Sequence, residues 1–457
     1  MTSTSPDGTR PQPKRPQPPV GPPGTWSFPT PARHQLSNGM DVLAYTLPGQ
    51  QVISAHLVLD SPLNAEDRDV EGVATIATRV LDEGTLTHDG EEFPELLETE
   101  GAGFGVEVTL AGLQAVLDVP ASHLDRALEL FAEAVQQPAL AEADVNRHVK
   151  LRLAEIEQAE ANSAQVATIA FRETVFGPQS RASRMNGGQP ETVAQVTPDA
   201  VRRFHRTRFG PAGATLVLAG DFAGDPVALA ERYLGDWTNP DQQRVDYVAP
   251  EPGRRRVLVI DRPGAVQADV RFGTFGIDRR DPRWADITVA GYAMGGAFLS
   301  RLNAVLREEL GYTYGVRMNF SPLRSHGSFA VQGSFRTDVV VDALDRTRDL
   351  ISVAGKPFSA AEVDDAVNFY TGVSPLRYAT ADGVADQAAT QVLAGLGTDY
   401  IDHSLAELRA VTPESASAAY ASLVHLDQLS LVVVGDAAAI ADPLRAAGFG
   451  DLEVVSR

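Results

Sequence analysis

Hydrophobic and polar positions change period along the chain, and each change marks an element. Across "RHQLSNGMDVLAYTLPGQQVISAHLVLD" (33–60) two β-prone runs flank the turn signals Ser37-Asn38-Gly39 and Pro48-Gly49-Gln50. Helical spacing follows around 72–82, 93–100, 122–136 and 141–172, and the polar, glycine-containing stretch 177–191 reads as a loop. In "EGVATIATRVLDEGT" (71–85), Val73, Ile76, Ala77, Val80 and Leu81 form an apolar stripe, leaving Thr75, Thr78, Arg79 and Asp82 on the opposite, polar stripe. Further on, Leu299, Leu302, Leu306 and Leu310 recur at steps of three and four. They predict a helix with one buried face that stops at Gly311. The "YTYGV" that follows is β-prone, and Tyr312 and Tyr314 would share one face of a strand.

The pattern repeats. Residues 196–221, "VTPDAVRRFHRTRFGPAGATLVLAGD", lie on 411–436, "VTPESASAAYASLVHLDQLSLVVVGD", at a constant offset of 215 and without a gap. Both open on a threonine cap with proline at the first helical position, and both close on an apolar strand ending in Gly-Asp. Such a period predicts two tandem copies of one α+β domain of roughly 200 residues. The polar stretch 238–256 reads as a linker between domains at 33–237 and 257–457. Proline density over 1–32 predicts a disordered or extended arm.

Composition narrows the function. With 43% hydrophobic and 22% charged residues, the 457-residue chain can bury cores. A net charge of −21 disfavours nucleic acid and tolerates basic peptides. No apolar run is long enough for a transmembrane helix, so no membrane insertion is expected. The N-terminus has no basic region followed by an apolar one, and a cytoplasmic location is expected. The absence of cysteine removes disulfides and thiolate chemistry.

No two of the nine histidines lie within four residues of each other, so no helix can present a histidine pair to a metal. No G-x-S-x-G elbow exists, and the paired glycines of "GYAMGGAFLSRL" (291–302) lack the rest of a phosphate loop. They read as a hinge or a close backbone contact. Arg307 near the helix end and Tyr314 seven residues later could converge on a peptide carbonyl, the phenol donating to a developing oxyanion. Alternatively, both are solvated surface residues.

The phrase "GGxxxSRLxxxLREExGYxYG", Gly295 to Gly315, resembles the C-terminal-half motif of the pitrilysin-type metallopeptidases, the insulinase and mitochondrial-processing-peptidase family. That resemblance covers about 33–457. It implies α+β halves, each a mostly antiparallel sheet packed with helices, closing like a clam shell of which this chain is one half. Active members carry H-x-x-E-H in the first half. Here Gly72, Ala74, Gly84 and Thr85 match the frame, but the motif positions are Thr75, Thr78 and Arg79. A further carboxylate ligand expected some 75 residues on falls on Glu155. One carboxylate cannot hold zinc, so this chain is expected to bind no metal and to be inactive alone. Arg79 is expected to reach Glu155 and supply the missing positive charge. By resemblance to the small bacterial two-subunit branch, Arg307 and Tyr314 would grip substrate against zinc held by a homologous H-x-x-E-H partner in a heterodimer. The alternative is a non-enzymatic peptide-binding or scaffold protein.

Overall fold

The strands "TLVLAG" and "SLVVVG" are apolar at nearly every position, and each runs inside a six-stranded sheet with both faces covered. The computed structural model describes residue 24 and residues 26–456. The first sheet is built from β1 (Ala32–Gln35), β2 (Asp41–Thr46), β3 (Val52–Leu59), β4 (Gly103–Val108), β5 (Leu113–Pro120) and β6 (Thr215–Gly220). Its order is β1-β2-β6-β3-β5-β4, antiparallel except for the β2–β6 pair. The second comprises β7 (Val257–Asp261), β8 (Gln267–Gly276), β9 (Val316–Pro322), β10 (Gly327–Arg336), β11 (Ser430–Gly435) and β12 (Leu452–Ser456). Its order is β12-β7-β11-β8-β10-β9, with β7 parallel to both β11 and β12.

The repeat is visible in the register. Val42 faces Leu216 in one sheet as Val257 faces Leu431 in the other, and Ala55 faces Leu218 as Val270 faces Val433. The chain is therefore two α+β domains, each a mixed, mostly antiparallel sheet packed with helices. Only the edge strand breaks the likeness, being antiparallel β1 in the first sheet and parallel β12 in the second.

Strand alternation explains why both faces are apolar. On β6, Leu216 and Leu218 join the first domain's core with Val73, Ile76, Phe131 and Val201. Val217 and Ala219 point the other way, into the same cluster as Val384, Ala385 and Ala388 of the helix Ala381–Ala394. That helix belongs to the second half of the sequence and packs across β3 and β6. The reciprocal helix, Ser163–Val175, leaves the first half to pack Val166, Ala170 and Phe171 against Leu258, Val432 and Val434 of the second sheet. The two domains thus exchange helices.

This exchange depends on a break that the expected continuous helix over 141–172 lacks. The structure has two helices, Glu142–Ala161 and Ser163–Val175, separated by Asn162. Asn162 is extended and its side-chain oxygen accepts from the Gln165 N–H at 3.1 Å, capping the second helix and freeing it to change direction.

The arm expected over 1–32 lies mostly outside the described residues, and its described end is packed. Phe28 is 3% exposed among Tyr45, Tyr378 and Trp26, and its N–H donates to Asp402 Oδ1 at 2.8 Å. Trp26 stacks on Tyr378 at 5.7 Å. Two large aromatic side chains outweigh the proline content there. The segment 238–256 contains no helix or strand, although Pro252 bridges to Phe176 and Arg244 pairs with Asp60. Among the described residues no helix is long and apolar enough to cross a membrane.

Candidate functional site

The helix predicted over 72–82 is shorter, Val73–Arg79. Gly72 starts it at φ +102°, a conformation that favours glycine, so the helix has no side-chain cap of its own. Glu66 takes that role: its Oε1 accepts from the N–H groups of Gly72 at 2.9 Å and Ala74 at 3.0 Å. The expected apolar stripe is buried. The polar stripe is not a solvated face, because Thr78 is only 4% exposed and its hydroxyl donates to the Thr75 carbonyl at 3.1 Å.

Below this helix the stretch expected to be a loop, 177–191, forms a buried ionic platform. Arg181 donates to Glu66 Oε2 at 2.9 Å, with the two side chains 6% and 0% exposed. Arg184 forks onto Glu71 with both contacts at 2.6 Å. Burial pushes the Glu66 carboxyl up, opposed by Arg181 and the two backbone donors. Burial also lowers Arg172 to about 10, with Arg181 adding to the effect, and Arg172 ties the carbonyls of Ala182 and Arg184. These charges are separated by more than a hundred positions along the chain, so no local spacing announces them.

Arg79, at the end of the short helix, meets Glu155 on the helix Glu142–Ala161. Its Nη1 donates to Glu155 Oε1 at 2.7 Å and its Nη2 to Oε2 at 3.0 Å, a bidentate fork. Arg152 adds a third donor, Nη1 to Oε2 at 2.9 Å, while its Nε donates to the Gly187 carbonyl at 2.9 Å. A Cβ at Gly187 would lie 2.7 Å from the Arg152 Nε, so a larger residue there would displace the guanidinium. The Arg79 hydrogen bonds, with those of Arg152, hold the Glu155 carboxyl below the usual range against partial burial. With side chains 35% and 42% exposed, the Arg79–Glu155 pair adds about 1 kcal/mol or less to stability. Its effect is on the chemistry of the site.

A pocket of about 240 Å3 opens beside this pair, bounded by Thr75, Thr78, Arg79, Arg152 and Asn186, with Val106 and Val108 of β4 as its apolar wall. On the other side of Glu155 a cleft of about 810 Å3 runs between the helices on either side of Asn162, over Ile156, Val166 and Ile169. β4 forms the edge of the first sheet. Among the described residues no three His, Asp or Glu side chains converge to hold a metal ion. The groups present do not suit one: two neutral hydroxyls, and a guanidinium within 2.7 Å of the only carboxylate.

Arg307 and Tyr314 lie elsewhere. The stretch around them is not the continuous helix and strand expected. Leu299 is 71% exposed, and the helix begins at Arg301 with a widened turn over Ala304–Glu309; Leu302 and Leu306 are its buried leucines. Gly311 has φ +62°, ending the helix as expected. The strand starts only at Val316, leaving Tyr312 and Tyr314 on the preceding loop. Tyr312 donates to Asp342 Oδ2 at 2.8 Å, whereas Tyr314 is 95% exposed. The Arg307 guanidinium lies 4.1 Å from the exposed Phe298 ring and pairs with Glu308. Among the described residues no hydrogen bond or ion pair joins Arg307 to Tyr314, or either to the Arg79–Glu155 pair.

Comparison with known families matches 42–186 to the insulinase family, peptidase family M16, and 195–370 to the peptidase M16 inactive domain. The chain belongs to family M16. A Streptomyces coelicolor relative named as an uncharacterized zinc protease is 26% identical over 401 residues, spanning 84% of this chain and 85% of its own. The non-peptidase homolog YmxG of Helicobacter pylori is 23% identical over 388 residues, spanning 83% of this chain and 88% of its own. The crystal structure of a peptidase M16 inactive domain from Pseudomonas fluorescens shares the fold. Its TM-score is 0.82 at 22% identity, and the match covers 89% of this chain and 98% of that one. Within M16, this chain has no metal-binding cluster among its described residues.

The residues that sequence reasoning missed are Arg152, Asn186 and the Glu66–Glu71–Arg181–Arg184 platform. Of these, Arg152 alone carried a local signal, standing three positions before Glu155 on one helix face.

Proposed function

We propose that this protein is a non-catalytic, peptide-binding M16 protein that holds extended peptides without cutting them. The fork of Arg79 on Glu155 carries this reading. A guanidinium occupies the lone pairs a metal would need, and neither Thr75 nor Thr78 can act as a general base. Peptide binding is supported by β4. An edge strand offers unpaired backbone groups to an added strand, and this one passes a polar pocket. The naming of YmxG as a non-peptidase homolog accords with it. The expected result is measurable retention of peptides on the immobilised protein, with no cleavage in the presence of zinc. Zinc-dependent cleavage by the pure chain would overturn the proposal.

A second reading is favoured by Tyr314, whose phenol is exposed and has no hydrogen-bond partner among the described residues. In it, this chain closes as half of a clam shell with a homologous H-x-x-E-H subunit, and Arg307 and Tyr314 polarise a peptide carbonyl at that subunit's zinc. Peptide cleavage by this chain, by such a partner and by their mixture separates the readings. Activity confined to the mixture, and reduced through kcat by Tyr314→Phe, supports the second. Full activity in the partner alone supports the first.

A further inference from the structure

The pocket beside Arg79 is cationic in a molecule of net charge −21. Two guanidinium groups share one carboxylate, leaving one positive charge in excess. Neither arginine is saturated: among the described residues Arg79 Nε and Arg152 Nη2 have no acceptor and the Thr75 hydroxyl has no partner. No acidic side chain lines the pocket, since Glu155 borders the neighbouring cleft. The remaining wall, Val106 and Val108, belongs to the edge strand. An anion entering here would meet unused N–H and O–H donors and would be pre-oriented by the two arginines, which Glu155 and Gly187 hold in place.

The geometry points to this pocket as a receptor for a carboxylate of a peptide laid along β4, so that the place of metal chemistry in active relatives becomes an anion-recognition site. This rests on the peptide-binding reading above and names the class of peptide: one with an Asp or Glu side chain, or a free C-terminal carboxylate, at that position. Thr75 and Arg79 are then specificity residues, and Glu155 sets the strength of the site by cancelling one of its two cations.

The test uses the full chain, immobilised, and two randomised octapeptide pools, one amidated and one with free C-termini, with retained peptides sequenced by mass spectrometry at low salt. The wild type is expected to enrich Asp and Glu about tenfold over Asn and Gln, or to prefer the free-acid pool to a similar extent. The first outcome assigns the carboxylate to a side chain and the second to the terminus. Arg79→Gln removes the excess charge and should abolish the preference. Glu155→Gln doubles the excess and should strengthen it, a change in the opposite direction that loss of folding cannot imitate. Peptides retained without acidic preference, or a preference unchanged in both variants, overturn the carboxylate site while leaving peptide binding intact. Retention of nothing from either pool overturns the peptide-binding reading and this site with it.

Discussion

Arg301, the arginine of the "SRL" motif, illustrates how a motif residue can serve the fold. Its guanidinium contacts both Glu362 oxygens at 2.6 and 2.8 Å and the carbonyls of Lys356 and Pro357, and it covers the Phe358 ring at 4.6 Å. The side chain is 6% exposed. Arg301→Ala leaves the Glu362 carboxylate with only its Ser359 donors and without a counter-charge, removes the packing on Phe358, and should cost about 2 kcal/mol in denaturant unfolding. Arg307→Ala, at a more exposed site, should cost under about 0.5 kcal/mol, so any loss of function it causes does not come from unfolding. The same network has a pH signature. The Arg301 hydrogen bonds, with those from Ser359, lower the Glu362 carboxyl to about 2 from 4.5. A depressed carboxyl stabilises the fold fully above its unfolded value and loses that contribution as pH falls from 4.5 toward 2. Because the carboxyl is partly exposed and screened by solvent, unfolding free energy should drop only about 1 kcal/mol across that window, and Glu362→Gln should flatten the slope.

At the scale of elements, the decisive device is Asn162. One residue caps the helix that crosses to the other domain, and Asn162→Ala should cost about 1 kcal/mol in equilibrium unfolding. An unchanged midpoint would mean that tertiary packing alone sets the bend. The cap was legible in "NSAQ", since Asn followed by Gln three positions later is a start signal, but an unbroken helical period on both sides concealed it. The leucine spacing over 299–310 misled for a different reason. Periodicity records which positions could share a face, and it does not record where the backbone leaves the helix, so exposed Leu299 looks like buried Leu302.

For the whole molecule, helix exchange makes the halves interdependent. Each sheet is covered on one face by a helix from the other half, with His56 buried under Ala381–Ala394 and Arg271, at the equivalent place, bonded to Ala164 and Thr168 of Ser163–Val175. The intact chain should unfold in one calorimetric transition, and residues 1–250 expressed alone should be insoluble, because they would expose Val58 of β3, Val217 and Ala219 of β6 and the apolar face of the Ser163–Val175 helix. Two well-separated transitions would sink the idea of mutual cover.

The duplicated plan could be read from the chain alone, because the continuous apolar runs at 215–220 and 430–435, each behind a Thr-Pro helix start, are local patterns that recur. So could the unsuitability of Thr75, Thr78 and Arg79 for zinc, which follows from side-chain chemistry; the meeting of Arg79 with Glu155 was expected only through the family resemblance that sets both at metal-motif positions. Only the tertiary structure decided that Arg152 joins that pair and that Glu66 and Glu71 anchor it from below through Arg181 and Arg184. It alone decided that each sheet would be roofed by the other domain's helix. The ionic platform and the exchanged helices rest on contacts between residues far apart in the chain, where burial makes pairing of the platform's charges obligatory and no periodicity connects the partners.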